Sequence, residues 1–431
     1  MKSLSLLPIF ILTINLIIPE KISANNYCHQ YSYPSGLKNT KNVKCDPLVL
    51  EPPLDLSVSL ESNNVFTVDF HCGISDANLC QKAHDVFKSA GNRIASVIKF
   101  NTPVKVNATF TDFCKEFNQC PYDNQFLIGE ASAAQFIPMK DSDRIVRYYP
   151  QALVKQLGNP NNAQYNDYDI LAAFNSQANL YFKGDLPIGN EQYDFEYVVT
   201  HEYIHGLGFF PYWNDYGKNL LTPYPDFLAG VTSVNQEITF TGFVETVFDR
   251  YMVLTEPGKA SQKMTQFVGE FNSIVPIGTT LKVSDFYSKY QNSQVFGLSE
   301  QLLKDAITPN TMSFVTSDNT SVLLETKINP YAPGSSICHV DTSYGNGSDF
   351  LMGFSAIPGI SLDDLVAKNH GTSALGPNLI KVLGTLGYSI NGQSNNQPNN
   401  IQKDNSSRSI KYSFSYNTIG VLVVIILWQI I

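Results

Sequence analysis

The stretch "THEYIHGLGFFPYW", Thr200–Trp213, decides the fold. It contains the pattern H-E-x-x-H in His201, Glu202 and His205. On a helix, residues four apart lie one turn apart on the same face, so the two imidazoles can bind one metal ion while Glu202 approaches from the side. This spacing predicts a zinc site. A catalytic zinc takes three protein ligands and a water, so a third ligand must come from elsewhere in the chain.

The same segment predicts a second, apolar face. Phe195, Val199, Tyr203 and Leu207 recur every four residues opposite the histidines, which is typical of a helix packed on a sheet. A bare H-E-x-x-H also occurs by chance, and a helical histidine is often an ordinary polar residue. The apolar stripe and the glycines that follow the second histidine favour a zinc site over a chance match, because glycine allows a sharp turn after the helix.

Local periodicity predicts an α+β lobe around this helix. Apolar residues at helical spacing indicate a helix over residues 81–100, and "VKVNATF" alternates as a strand over residues 104–110. A second strand is predicted in residues 169–182, and a helical stripe in "FTGFVETVFDRYM", residues 240–252. The final helix is expected to end at Gly387, since glycine commonly terminates helices.

The chain divides into segments of different character. The prediction is a set of consecutive parts: residues 1–24 signal peptide, 25–60 N-terminal extension, 61–210 N-terminal catalytic lobe with the zinc-binding helix, 211–333 insertion lobe, 334–390 C-terminal lobe, 391–405 low-complexity stalk and 406–431 a removed anchor signal. The stalk is rich in Asn, Gln and Ser and cannot bury a core.

Both ends of the chain predict export to the cell surface. Residues 1–24 have one Lys, an apolar stretch and a small-residue end, as a secretory signal does; an anchoring helix is less favoured because Pro8 and Pro19 interrupt the run. Near the other end, Asn405 opens a small triplet that is followed by a polar spacer and the apolar tail 419–431. A transmembrane helix needs about 20 apolar residues, so this shorter tail favours a glycosylphosphatidylinositol (GPI) anchor attached at Asn405.

Seven cysteines and three glycosylation sequons fit an exported protein. Six cysteines lie in the first third of the chain, where local pairs Cys72–Cys80 and Cys114–Cys120 are plausible although spacing leaves the pairing open. Cys338 is left over; it is either a free thiol or a group that masks the zinc in a latent form. The sequons lie at Asn107, Asn319 and Asn346 and suggest surface positions.

The charge and composition narrow the classes of function. With 43% hydrophobic residues the chain can bury a substantial core, which excludes a disordered protein. The formal net charge is −9, and the sequence shows no basic patch that could offset it locally. Nucleic acid is therefore not the expected partner.

The segment "HEYIHGLGF" resembles the metzincin clan of zinc peptidases. In the short form of that clan the third His follows the second glycine by three residues, and this chain has Pro211 there. Leishmanolysin-like peptidases of the clan insert a long segment before the third His and then reach a Met-turn. The matching residues here are His339, 138 residues after His201, and Met352 in "DFLMGF". The segment "LIKVLGTLGYSI" is similar to the helix that closes those domains.

The resemblance implies a metzincin-like zincin: an α+β fold with a mixed twisted sheet, an active-site helix, a large insertion and a C-terminal lobe. It implies zinc bound by His201, His205 and His339, with Met352 as an apolar floor. From the residues alone, Asp215, Glu245 and His370 remain alternative third ligands.

The function implied is that of a cell-surface zinc endopeptidase that hydrolyses extracellular proteins or peptides. Glu202 would take a proton from water and pass it to the leaving amine. The alternative is a non-catalytic adhesion or wall-binding protein on a zincin scaffold.

Overall fold

The computed structural model of the chain describes residues 26–34, 40–49, 65–120, 126–158, 163–229, 238–255, 258–275 and 279–392. These residues belong to one compact unit. The predicted signal peptide, most of the stalk, the anchor signal and Asn405 lie outside them. The predicted division into lobes therefore stays a prediction.

Helices and strands are interspersed, and the fold is α+β as predicted. The helices are α1 (Ala77–Ala95), α2 (Phe113–Phe117), α3 (Gln151–Gln156), α4 (Phe195–Gly206), α5 (Met264–Asn272), α6 (Val283–Gln291), α7 (Gln294–Ala306), α8 (Leu362–Lys368) and α9 (Pro377–Leu386). The strands are β1 (Tyr27–Tyr31), β2 (Thr40–Lys44), β3 (Leu48–Val49), β4 (Phe66–Cys72), β5 (Ile98–Lys99), β6 (Val104–Thr111), β7 (Gly129–Ala133), β8 (Gln135–Lys140), β9 (Val146–Pro150), β10 (Ile170–Asn175), β11 (Leu180–Tyr181), β12 (Tyr193–Asp194), β13 (Asn214–Asp215), β14 (Leu221–Thr222), β15 (Tyr224–Ala229), β16 (Ile238–Val244), β17 (Met252–Leu254), β18 (Gln262–Lys263), β19 (Leu281–Lys282), β20 (Met312–Val315), β21 (Ser321–Leu323) and β22 (Ser389–Ile390).

A mixed four-stranded sheet carries the candidate site. Its order is β4-β6-β10-β7, with β4, β6 and β10 parallel and β7 antiparallel at one edge. Successive side chains of a strand point to opposite faces, so Val106, Ala108 and Phe110 of β6 share the face that α1 and α4 cover. A separate sheet of order β2-β1-β8-β3, with β9 on β8, and smaller sheets further along complete the fold.

Helix α4 forms as predicted and is buried along its whole length. Asp194 caps its first turn by accepting from the backbone N–H groups of Glu196 and Tyr197 at 2.8 and 3.2 Å. The other carboxylate oxygen accepts from the N–H of Leu362 at 2.8 Å, which ties the helix to the start of α8. At the far end Gly208 adopts a φ of +111°, a conformation that suits glycine.

Most of the predicted elements are present, and one is wrong. The helix expected over residues 81–100 is present as α1, but it ends at Ala95, and Ile98–Lys99 instead forms strand β5, paired with β22. The strand over 104–110 is β6, and α9 ends at Gly387. The strand predicted in 169–182 divides into β10 and β11.

The helix predicted over residues 240–252 is instead strand β16, a 3-10 turn at Asp249–Tyr251 and strand β17. Gly242 has a φ of +144°, which is incompatible with a helix. Phe240 stacks on Phe286 at a centroid distance of 3.9 Å, so tertiary packing overrides the helical spacing.

Three disulfides join the six N-terminal cysteines: Cys28–Cys45, Cys72–Cys80 and Cys114–Cys120. The two local pairs are as predicted. Cys338 is free and buried. In the described ranges, no helix is both long enough and apolar enough to span a membrane. Among the sequons, Asn319 and Asn346 are exposed, whereas Asn107 is half-buried on β6.

The contact between Gly206 and β10 allows a test of how closely α4 packs on the sheet. A Cβ at Gly206 would lie 2.5 Å from Cγ2 of Ile170, whereas a Cβ at Gly269 in α5 would meet open space. We expect Gly206→Ala to lower the free energy of unfolding by about 1–3 kcal/mol, because overpacking displaces side chains. Gly269→Ala should leave it unchanged or raise it by up to about 1 kcal/mol. Urea denaturation measures both, and equal effects would contradict the close packing.

Candidate metal centre

Three histidines converge in the interior of the protein. His201 and His205 project from α4, and His339 comes from the segment after β21. Their Nε2 atoms form a triangle with all three separations at 3.1 Å. Each side chain is buried, and this is the group among the described residues that could hold a metal ion.

Backbone pairing brings His339 to α4. The N–H of Glu325 donates to the carbonyl of His339 at 2.8 Å, and the N–H of Val340 donates to the carbonyl of Met352 at 2.9 Å. Ile337, just before, has a φ of +57°, which is unusual for a β-branched residue and marks a sharp change of direction. The position of His339 is therefore set by neighbours on both sides.

The Glu325 carboxylate holds the segment that follows His339 in the chain. It is fully buried and accepts from the backbone N–H groups of Lys327 and Thr342 at 2.6 and 3.1 Å. A buried carboxyl group that is hydrogen-bonded in this way fixes the chain around it, because breaking either bond would leave a buried oxygen without its donor. Sequence reasoning missed Glu325, since the residues on either side of it show no metal-binding pattern.

The second ring nitrogen of each histidine defines its tautomer. Nδ1 of His201 contacts the carbonyl of Leu351 at 2.6 Å, Nδ1 of His205 that of Phe209 at 2.8 Å, and Nδ1 of His339 that of Ser335 at 3.1 Å. A carbonyl only accepts, so each Nδ1 carries the proton. In a neutral imidazole the other nitrogen is then unprotonated.

The rings are neutral because they are buried. Desolvation lowers the pKa of His201 to about 4 and that of His205 to about 3, and it lowers the pKa of His339 well below its ordinary value. Three lone pairs consequently point at one another with no proton among them. Such an arrangement is repulsive by itself and attractive around a cation.

The triangle fits a small divalent metal ion. Ligands of a tetrahedral zinc at about 2.0–2.1 Å lie roughly 3.3 Å from each other, close to the separation found here. Imidazole suits zinc, copper, iron and nickel. Carbonyl partners on the far side of each ring are the usual support for metal-binding histidines.

Glu202 is the acidic group of the centre. Its side chain is buried, and within the described residues it makes no ion pair. Burial raises the pKa of Glu202 to about 8, and nearby Glu130 adds to the shift while a hydrogen bond from the Ala131 backbone opposes it. A cation held by the histidines would lower this pKa, because opposite charge favours the carboxylate.

Cys338 lies beside the centre. Its Sγ is 3.3 Å from Nδ1 of His339, on the side of the ring that faces away from the Nε2 triangle. Burial, with a smaller contribution from Glu202, raises the pKa of the thiol to about 12. A protonated thiol is a poor metal ligand.

Met352 lies in a buried 3-10 turn, Phe350–Met352. This turn contacts the centre through its backbone, since the carbonyl of Leu351 accepts from His201. The hydroxyl of Tyr197, one turn earlier on α4, donates to the carbonyls of Phe350 and Leu351 at 3.3 and 3.4 Å. The turn is thereby attached to the metal-bearing helix.

Asp215, Glu245 and His370, the other predicted candidates, do not belong to the histidine cluster. Asp215 accepts from the N–H groups of Asn219 and Leu220 and so stabilises its own loop. Glu245, expected on a helix, follows β16 and forms a buried ion pair with Arg147 at 2.7 Å. His370 lies in the turn after α8, with a φ of +54°.

The sequence profile of the SPBPB7E8-like family matches residues 38–404. The chain belongs to this family. It is similar to the uncharacterized protein PB7E8.01 of Schizosaccharomyces pombe, with 28% identity over 422 residues that cover 87% of this chain and 73% of that protein. No solved structure matches the chain. The family match includes α4 and all three histidines, so the whole cluster lies inside the family's shared region.

Metal uptake tests the histidine triangle directly. We expect the purified protein, stripped with a chelator and dialysed against zinc, to retain one ion per chain by elemental analysis. His339→Ala should weaken zinc binding by about 100-fold or more, because a water molecule would take the place of one of the three imidazole ligands. His84→Ala is the matched control, since His84 is an exposed histidine of α1. If His339→Ala binds zinc as tightly as the control, His339 is not a ligand.

Proposed function

We propose that this protein is a zinc endopeptidase that hydrolyses peptide bonds of extracellular proteins or peptides. The observation that carries the proposal is the triangle of three unprotonated imidazole nitrogens beside a buried glutamate that forms no ion pair with any described residue. We also propose that the α+β fold is of the zincin type and resembles leishmanolysin-like peptidases. Supporting features are the long return from α4 to His339 and the buried turn at Met352.

His201, His205 and His339 would hold the zinc ion. When bound, zinc supplies Lewis-acid chemistry and lowers the pKa of water to about 7. The three backbone carbonyls that accept from the Nδ1 atoms keep the rings in the required tautomer and orientation.

Glu202 acts as the base and acid. Its carboxylate is free of any cationic side chain in the described residues, so it is available to take a proton from water and return it to the leaving amine. The Ala131 N–H of strand β7 holds the carboxylate, which keeps it aligned beside the helix. Burial excludes bulk water from this proton transfer.

The proposed location is outside the cell. Three disulfides form in oxidising compartments and are rare in the cytosol. The lipid anchor at Asn405 remains a prediction.

Substitution of Glu202 separates metal binding from hydrolysis. We expect Glu202→Gln to keep one zinc ion per chain and to lose hydrolysis of a quenched-peptide mixture by about 10²–10⁴-fold, because an amide cannot take up the proton. The isosteric amide still accepts the hydrogen bond from Ala131. Glu270→Gln, at an exposed position of α5, is the matched control and should retain full activity.

Two results would count against the peptidase. Full activity in Glu202→Gln would remove the assigned mechanism. A wild-type protein that carries zinc and cleaves neither casein nor the peptide mixture would favour the non-catalytic adhesion or wall-binding protein.

A further inference from the structure

A cavity lies on the face of the central sheet opposite α4. It has a volume of about 160 Å³ and is lined by residues of the segment after β1, of β4, β6, β10 and of the α2 region. His71 of β4 and Thr109 of β6 are paired neighbours on its floor, and Tyr33 and Phe117 form an aromatic wall with ring centroids 4.5 Å apart. None of these residues takes part in the metal centre.

Asn107 points into this cavity. It begins the sequon Asn107-Ala108-Thr109, and the period of two along a strand places Asn107 and Thr109 on the same face. Both residues line the cavity. Within the described ranges the side-chain amide of Asn107 makes no hydrogen bond, although it is half-buried. An amide that no other described side chain or backbone group engages is available for modification.

We propose that Asn107 carries an N-linked glycan whose first N-acetylglucosamine occupies this cavity. In the modification, a bond forms between Nδ2 of Asn107 and C1 of the sugar. The bond between C1 and the pyrophosphate of a lipid-linked oligosaccharide donor breaks, and the amide proton leaves with the lipid pyrophosphate. This inference rests on the extracellular location in the proposed function and is independent of hydrolysis.

The lining suits a single amino-sugar ring. A sugar presents hydroxyl groups at its edge and C–H groups on its faces, which match the polar Ser32, His71 and Thr109 and the aromatic wall. The cavity is smaller than the roughly 300–1,000 Å³ of pockets that capture free ligands. A covalently attached ring needs no such capture, because tethering makes its local concentration high.

The other sequons provide an internal comparison. Asn319 lies in the turn between β20 and β21, and Asn346 ends a 3-10 turn; both are exposed, and neither lines the cavity. Sugars on these two residues extend into solvent. The bond to Asn107 should be shielded by the cavity walls, so a glycosidase reaches it only when the region opens.

The test uses the full chain secreted from a eukaryotic host, with the occupancy of each sequon measured by mass spectrometry. Under native conditions, peptide N-glycosidase should release the Asn107 glycan about tenfold or more slowly than those of Asn319 and Asn346. The difference should disappear after denaturation. Phe117→Ala, which removes part of the aromatic wall, should accelerate release at Asn107 alone, whereas Phe354→Ala, at an exposed site outside the cavity, should not.

Three outcomes would overturn the proposal. They are an unmodified Asn107 in protein that is modified at Asn319 and Asn346, equal native release rates at the three sites, and an unchanged rate in folded Phe117→Ala. If Phe117→Ala does not fold, the comparison of the three sites in the wild type decides alone. Zinc content and peptide hydrolysis of the same preparations are measured separately, so a failure of the proposed peptidase activity is distinguishable from a failure here.

Discussion

The mutual repulsion of three imidazole lone pairs, held 3.1 Å apart, is the constraint that the rest of the structure satisfies. Each ring is restrained from behind by a carbonyl of a different segment, which belongs to Phe209, Ser335 or Leu351. These segments are in turn restrained by the end of α4, by pairing with Glu325 and by the turn at Met352. A cation bound by the three nitrogens would relieve this repulsion, so metal binding should be coupled to stability.

Much of the helix and sheet framework follows from local periodicity, and so does the first half of the site. Helices α1 and α4 and strand β6 were predictable because apolar residues recur at the spacing of their own secondary structure. His201, Glu202 and His205 share a single helical turn and need no tertiary information. His339 was different: no pattern around it marks a ligand, and only the resemblance to a family with a long insertion singled it out.

The misassigned segments depend on contacts between residues far apart in sequence. The stripe in residues 240–252 has helical spacing, yet Phe240 packs on Phe286 and the segment becomes a strand. From the sequence, Glu245 is a candidate carboxylate ligand. In the structure its carboxylate instead pairs in the core with Arg147, which lies 98 residues earlier in the chain. Likewise the pair Cys28–Cys45 depends on the register of the β1–β2 hairpin, in which Cys28 lies opposite Val43. None of these partners lies within the short stretch of sequence that local periodicity takes into account.

Charge balance explains why Glu202 and the histidines belong together. A buried carboxylate without a cationic partner is costly, and the burial of Glu202 accordingly raises its pKa to about 8. By contrast, Glu245 has the guanidinium of Arg147 beside it. Three neutral imidazoles cannot compensate the charge of Glu202, but a divalent cation held by them can, since opposite charges attract strongly where solvent is excluded. The Glu202 carboxylate, which has no cationic partner in the described part of the chain, and the proton-free nitrogen triangle are thus two halves of one electrostatic arrangement. Each is unfavourable alone, and the same ion would satisfy both.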